Sequence, residues 1–316
     1  MFTAEKGIYE GLGYDIVIMK GAGHEVCILP VNGFNLYDWT YEGKEILMKP
    51  ADITVFGTKY GVPILFPTPD LMKNSTYTWE GKTYVMKKRG ECVRNHGIVK
   101  DEPFTVTEIF ADEHCARCSG KIEIRKEGSV FEGWPWNCTL HITYTLDAAG
   151  VHAQMKIINE DETGMPFGLA LHPYFSKRGD ANKCFIKVPA KRYYEVDEAL
   201  FPSGRILPAE GGYVLYDDFH TVESLDLDNV FRGMTADMES QVMYDDVVVH
   251  IHGSDCFRNV VVFTPHDRAG FCIEPQTSAT DCLNMLAAGL IDESGVMVIP
   301  AGRAFECEAH MTVTKR

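Results

Sequence analysis

The sequence predicts an all-β fold, a large antiparallel β-sandwich with few short helices. Apolar residues recur at every second position in several segments, and turn signals separate these segments at short intervals. The sequence offers only short helical candidates, which disfavours a parallel α/β fold.

The alternation is clearest in three segments, 139–146, 151–158 and 305–313. One face of the first carries Leu140, Ile142, Tyr144 and Leu146, and the other carries Thr139, His141, Thr143 and Thr145. A helix cannot separate alternate residues in this way, whereas a half-buried strand does.

Turn signals follow the strand-like segments closely. They are Gly21-Ala22-Gly23, Glu42-Gly43, Glu80-Gly81, Ala148-Ala149-Gly150 and Pro300-Ala301-Gly302. The best helical candidate runs from Ala279 to Ala287, with Gly289 after it. No linker or low-complexity tract divides the sequence, so we expect one domain over residues 1–316.

Composition limits the classes of ligand. The chain has 316 residues, 45% of them hydrophobic and 24% charged, with a formal net charge of −15. This charge repels nucleic acids and anionic lipids, and no segment approaches the ~20 apolar residues of a membrane span. We therefore expect a neutral small-molecule ligand, with neither a nucleic-acid partner nor a membrane.

The ten cysteines do not suggest a disulfide framework. Several lie inside apolar segments, where a thiol behaves as a small hydrophobe. The N-terminal segment also lacks the features of a signal peptide, which predicts a cytoplasmic protein.

Two histidine segments are candidates for chemistry. Arg94-Asn95-His96-Gly97 places an imidazole beside a glycine that permits a sharp turn. Gly168 to Phe175 carries His172 at the end of a small apolar strand, before Pro173. A surface loop histidine and a hydrogen-bonded core histidine are the structural alternatives.

Two acidic segments complete the set of candidates. Glu274 lies at the end of an apolar segment, and Pro275 is expected to end the strand there. Partial burial would raise the pKa of this carboxyl towards that of a general base, although an ion-paired glutamate is equally compatible with the segment. Asp228 could accept hydrogen bonds from hydroxyl groups, or simply lie on a solvated face.

Together these segments resemble the aldose 1-epimerase family. The resemblance rests on Asn95-His96-Gly97, Gly168 to Phe175, Asp228 to Phe231, and Cys272 to Pro275, in this order. It implies the galactose mutarotase-like supersandwich fold and a soluble monomer or homodimer acting on an aldose.

The resemblance also implies roles. Glu274 would take a proton from the C1 hydroxyl of the sugar while His172 protonates the ring oxygen, with His96 assisting. Asp228 and Asn95 would contact the sugar. This acid/base chemistry requires no cofactor and no metal.

One departure from the family concerns the sugar contacts. Leu71 stands where the family usually has an arginine, and a leucine cannot donate a hydrogen bond. We therefore expect Lys73 or Arg94 to reach the sugar instead, unless the preferred sugar has changed.

Three other interpretations stay open. A relative acting on a phosphorylated hexose would need converging cations for the phosphate. A sugar-binding or sensor protein could share the fold without catalysis. His250-Ile251-His252 and Cys115-x-x-Cys118 have metal-ligand spacing, but neither has a clear second pair.

Overall fold

The protein was analysed as a computed structural model that describes residues 1–9, 13–48, 60–127, 131–267 and 269–316. The described strands in chain order are β1 (Thr3–Tyr9), β2 (Tyr14–Gly21), β3 (His24–Leu29), β4 (Asn35–Tyr41), β5 (Lys44–Glu45), β6 (Ile64–Leu65), β7 (Thr76–Trp79), β8 (Lys82–Val85), β9 (Lys87–Lys88), β10 (Glu91–Cys92), β11 (Thr105–Ala111), β12 (Ala116–Ile124), β13 (Phe131–Glu132), β14 (Cys138–Leu146), β15 (Gly150–Asn159), β16 (Met165–Phe167), β17 (Ala170–Leu171), β18 (Tyr174–Ser176), β19 (Phe185–Lys187), β20 (Arg192–Val196), β21 (Pro202–Pro208), β22 (His220–Thr221), β23 (Asp228–Arg232), β24 (Ser240–Met243), β25 (Val247–Gly253), β26 (Asn259–Phe263), β27 (Gly270–Gln276), β28 (Met297–Ile299) and β29 (Ala304–Lys315).

Helices are few and short in the part of the chain that the structure describes. The α-helices are α1 (Cys282–Ala287) and α2 (Ile291–Ser294). Single 3₁₀ turns cover Lys73–Ser75, Ala181–Lys183, Gly211–Tyr213 and Val222–Ser224. No helix among the described residues is long and apolar enough to cross a bilayer.

Three large antiparallel sheets dominate the described chain. One has the order β1-β2-β3-β4-β5, and the longest has the order β11-β12-β14-β15-β29-β25-β24-β19-β22. The third has the order β21-β20-β23-β26-β27-β17-β6, with β18 also paired to β27. The predicted all-β sandwich is confirmed, because these sheets bury one continuous apolar core.

Alternation within strands places the core as predicted. In β14, Leu140, Ile142, Tyr144 and Leu146 are buried. Strands β15 and β29 repeat the pattern with Val151, Ala153, Met155 and Ile157, and with Cys307, Ala309 and Met311. Each large side chain buried in this way contributes about 1.5–3 kcal/mol of hydrophobic free energy.

Phe34 shows how closely the core is packed. Its ring is fully buried and stacks on Phe104 and Tyr144, with centroid distances of 5.6 and 5.8 Å. A Cβ atom at Gly120 in β12 would lie 2.5 Å from this ring. Glycine at this position therefore leaves the space that the phenylalanine fills.

Strand β27 separates the core from a cavity on the other face of its sheet. Phe271 and Ile273 point into the core, while Glu274 lines the cavity. The expectation that Pro275 ends the strand was wrong, because β27 continues to Gln276. On one side of β27, residues 273–275 lie between the residue paired with β17 and those paired with β18. Pro275, which has no amide hydrogen, fits in this break in the pairing.

The predicted helix at 279–287 forms only in part. Helix α1 begins at Cys282, after Asp281 in the left-handed conformation (φ 55°). Thr280, which was predicted to lie in the helix, precedes it, and its hydroxyl is hydrogen-bonded to Asp70. Tertiary contacts thus delay the start of the helix.

Candidate active site

Glu274 lies on the cavity face of β27, opposite Val261 of β26. Glu274 is only 3% exposed. Burial raises the pKa of its carboxyl well above the ordinary value, and the nearby Asp70 and Asp228 carboxylates raise it further. The side chain therefore holds a proton more tightly than a glutamate in water.

His172 lies between β17 and β18, beside Glu274. Its backbone amide donates to the Pro63 carbonyl at 3.0 Å, and its ring stacks on Tyr174 with a centroid distance of 4.7 Å. Its Nε2 lies 3.3 Å from Glu274 Oε1, and the residue is 4% exposed. The two side chains form a buried pair in direct contact.

His96 approaches this pair from a loop. Its backbone has φ 61°, and its amide donates to the Asp70 carbonyl at 2.7 Å. Gly97 follows with φ 65°, and a Cβ there would lie 2.2 Å from the Phe66 carbonyl oxygen. The close approach of the two loops therefore requires glycine.

The His96 ring packs edge-on against the ring of His172, with a centroid distance of 5.2 Å. Burial lowers the pKa of His96 to about 3, and the charge of Lys100 adds to this effect. A neutral imidazole with this pKa can donate or accept a hydrogen bond, but it is a poor source of protons near pH 7.

Asp70 also lines the cavity. It has φ 58°, accepts a hydrogen bond from the Leu71 amide at 2.8 Å, and is hydrogen-bonded to the Thr280 hydroxyl. Burial raises the pKa of its carboxyl despite these bonds. Asp228, the exposed first residue of β23, lies at the mouth of the same cavity.

The cavity has a volume of about 260 Å³. This is slightly below the range of about 300–1,000 Å³ found for drug-sized ligands, so it suits one small molecule. The described residues that line it are Asp70, Leu71, Asn95, His96, His172, Tyr174, Val196, Leu200, Asp228, Asn229, Val230, Val261, Phe263, Glu274 and Thr280. They include three carboxylates and no lysine or arginine.

Five of the residues selected from the sequence lie together around this cavity: Glu274, His172, His96, Asp228 and Asn95. The structure does not bring Lys73 or Arg94 to its wall. The Lys73 ammonium lies over the Phe201 ring, 5.5 Å from its centroid. Arg94 lines a separate surface depression with Lys100.

Leu71 is paired with Asn95, and both residues line the cavity. Asn95 also borders the surface depression that Arg94 lines, so it marks the boundary between the depression and the cavity.

Sequence reasoning missed Asp70, Thr280 and Phe263 as cavity residues. Asp70 directly precedes Leu71, so the unusual residue at the family arginine position marked the right segment. Thr280 carried no comparable signal, because its place depends on contacts between distant segments.

The two possible metal motifs lie elsewhere. His250 Nδ1 is 2.8 Å from Glu239 Oε1 on the outer face of β25, and Cys118 is buried in the core. Within the described ranges, one set of three His, Cys, Asp or Glu residues has ligand atoms all within 4.8 Å of one another: His172, Cys272 and Glu274.

The family comparison covers most of the chain. The family model for aldose 1-epimerases matches residues 16–295. LacX of Lactococcus lactis subsp. lactis, in its chromosomal form, is 25% identical over 117 residues, which are 36% of this chain and 36% of LacX. Galactose mutarotase of Homo sapiens is 32% identical over 84 residues, 25% of this chain and 24% of that protein. These matches thus span about a quarter to a third of the curated relatives.

Solved structures show the same fold over the whole chain. A galactose mutarotase-like protein from Clostridium acetobutylicum superposes with a TM-score of 0.88 at 19% identity, covering 100% of this chain and 99% of that one. Galactose 1-epimerase from Lactobacillus acidophilus gives a TM-score of 0.81 at 13% identity, covering 100% and 99%.

Proposed function

Because the chain belongs to the aldose 1-epimerase family, we propose that it is an isomerase that interconverts the α and β anomers of an aldose. The observation that carries the proposal is the buried contact of 3.3 Å between His172 Nε2 and Glu274 Oε1. The proposal is supported because an imidazole and a carboxyl, groups that can serve as acid and base, stand side by side on the wall of a cavity that suits one small molecule.

The chemistry requires this proximity. The C1 hydroxyl and the ring oxygen of a cyclic aldose are bonded to the same carbon, so the groups that exchange protons with them must be neighbours. An imidazole and a carboxyl held together with one shared proton can act as acid and base near neutral pH.

Glu274 removes the proton of the C1 hydroxyl while His172 protonates the ring oxygen, and the bond from C1 to the ring oxygen breaks to give the open-chain aldehyde. After rotation about the C1–C2 bond, the C5 hydroxyl attacks the other face of the carbonyl. His172 takes back its proton and Glu274 returns its own, so protons balance and no redox cofactor is needed.

Binding of the remaining hydroxyls is assigned to the polar wall. The Asp228 carboxylate accepts hydrogen bonds from sugar hydroxyls, while Asn95 and neutral His96 can each donate or accept one. Asp70 joins them on the side where the family has an arginine. Lys73 and Arg94 receive no sugar contact, since neither lines the cavity.

The charges around the cavity favour an unphosphorylated aldose. A phosphate is held by converging arginine and lysine side chains, whereas the described wall carries three carboxylates and neither of these cations. A sugar phosphate would enter against this negative field.

Polarimetry of freshly dissolved α-glucose and α-galactose tests the proposal. We expect the protein to accelerate the approach to anomeric equilibrium without changing the final rotation. Binding of sugars without acceleration would identify a sugar-binding protein on this fold instead. Preferential acceleration of glucose 6-phosphate would contradict the assignment to unphosphorylated sugars.

A further inference from the structure

A buried thiol lies beside the pair that we assign to proton transfer. Cys272 precedes Glu274 by two residues on β27, so both side chains project from the same face of the strand. Cys272 is fully buried, and it packs against Tyr174, the residue on which His172 stacks. The proposed isomerisation makes no use of this thiol.

The three side chains have the spacing of a metal site. Two nitrogen or oxygen ligands of a tetrahedral ion, each about 2.0–2.1 Å from it, stand roughly 3.3 Å apart. His172 Nε2 and Glu274 Oε1 are separated by 3.3 Å. One ligand atom from each of His172, Cys272 and Glu274 lies within 4.8 Å of the other two, so a movement of about 1 Å brings the sulfur to bonding distance.

We propose that His172, Cys272 and Glu274 form an inhibitory binding site for Zn²⁺, which competes with the sugar for the acid and base. The proposal rests on the proposed function for its effect on turnover, but not for the binding itself. A bound ion occupies the lone pairs that His172 and Glu274, both on the cavity wall, need for proton transfer.

The ligand set and the local charge both select the ion. Mixed sulfur, nitrogen and oxygen ligands favour Zn²⁺, and Co²⁺ as its spectroscopic substitute, over Mg²⁺ or Ca²⁺. Asp70 and Asp228 line the same cavity and add negative charge that attracts a divalent cation.

Metal-free wild type and its Cys272→Ser variant test the site, with Cys115→Ser as a control that removes a partly exposed thiol elsewhere. In wild type without sugar, we expect Co²⁺ to bind with micromolar or weaker affinity. The bound Co²⁺ should give a thiolate-to-metal absorption band. The band should persist in Cys115→Ser and vanish in Cys272→Ser. Saturating sugar should abolish it in wild type, a readout that needs no variant.

Turnover supplies the second readout. Zn²⁺ should inhibit wild type and Cys115→Ser equally. Its inhibition constant for Cys272→Ser should be at least about 10-fold larger. Without metal, all three proteins should turn over sugar at similar rates. Equal inhibition of wild type and Cys272→Ser, or equal inhibition by Mg²⁺, would overturn the proposal.

The two proposals can fail separately. If no aldose is isomerised, the Co²⁺ band and calorimetric titration with Zn²⁺ still test the metal site. If the sugar is isomerised but wild type shows no thiolate band, the metal site is refuted and the isomerase proposal stands.

Discussion

Two carboxyl–histidine pairs in this molecule have similar contacts and opposite surroundings. On the outer face of the nine-stranded sheet, His152 Nε2 lies 2.9 Å from Asp147 Oδ2, with side chains 22% and 38% exposed. In the cavity, His172 and Glu274 are 3.3 Å apart, with side chains 5% and 3% exposed. The shorter contact is therefore the one between the more exposed side chains.

The surroundings move the two carboxyl pKa values in opposite directions. Burial opposes ionisation of Asp147, but hydrogen bonds from the Ala149 and Gly150 amides and the proximity of His152 outweigh it and lower its pKa. At Glu274, burial dominates and two carboxylates reinforce it, so the pKa rises. Deeper burial and two neighbouring carboxylates, in place of amide donors, distinguish the cavity pair from the pair on the outer face.

The largest expected effect separates these two pairs by activity. Glu274→Gln keeps the shape of the side chain but removes the base, so we expect the isomerisation rate to fall about 10²–10⁴-fold. Asp147→Asn should leave the rate within about twofold, since it lies on the outer face. Polarimetry of both variants measures the contrast, and equal losses would remove the distinction between the pairs.

The histidines should differ in the same way. His172→Asn is expected to lower the rate about 10²-fold or more because it removes the proposed acid, whereas His152→Asn should change it little. The double variant Glu274→Gln with His172→Asn should be hardly slower than Glu274→Gln alone, because groups that act as a unit are not additive. Multiplicative losses in kcat would show that the two groups act independently.

Substitution at the cavity mouth should affect binding more than chemistry. Asp228→Ala is expected to raise KM about 10-fold with a smaller change in kcat, because it removes a contact to sugar hydroxyls. Asp226 is exposed and does not line the cavity, so Asp226→Ala is the matched control. Steady-state kinetics would contradict the assignment if both variants had the same KM.

The pH dependence of the rate tests the electrostatic part of the comparison. Because the Asp70 carboxylate raises the pKa of Glu274, Asp70→Asn should lower it and move the acid limb of the kcat profile to lower pH. Neutralising Asp147 should leave the limb in place. A limb that stays fixed in Asp70→Asn would show that Asp70 does not influence the base.

The smallest effect concerns stability, where the two carboxyls should have opposite signs. Because its pKa is raised in the folded state, Glu274 contributes favourably to the free energy of unfolding at acid pH, and this contribution is lost as the pH rises through that pKa. Glu274→Gln should therefore have a Tm on the order of a few degrees above that of wild type at pH 8. Asp147 has a lowered pKa, so its contribution is present above its ordinary pKa and is lost as the pH falls. Asp147→Asn should therefore lose Tm at pH 8. Thermal unfolding at pH 4 and pH 8 compares them, and equal signs at pH 8 would contradict the account.

Local periodicity predicted much of the fold. Alternate apolar residues identified β14, β15 and β29, because every second residue of a strand is apolar when one of its faces packs on the core. Strand β27 gave a weaker signal. All seven of its residues are buried, so the sequence did not show that Pro275 lies inside the strand.

The residues of the candidate site were predictable to different degrees. Motifs identified His172, Glu274, His96, Asp228 and Asn95, which all line one cavity. Asp70 and Thr280 were not identified, because they meet across more than two hundred residues of sequence through the hydrogen bond between them. Arg94 does not line the cavity, although its neighbour Asn95 does, and it borders a separate surface depression instead.

We expect the cavity to exchange the anomers of an unphosphorylated aldose. Magnetisation-exchange NMR on an equilibrated mixture of α- and β-galactose or glucose measures that exchange directly, with Glu274→Gln as the reference. We expect faster exchange between the two C1 proton signals with wild type, at an unchanged anomer ratio, and little acceleration with the variant. Wild-type protein that binds these sugars without accelerating exchange, or a Glu274→Gln variant as fast as wild type, would contradict it.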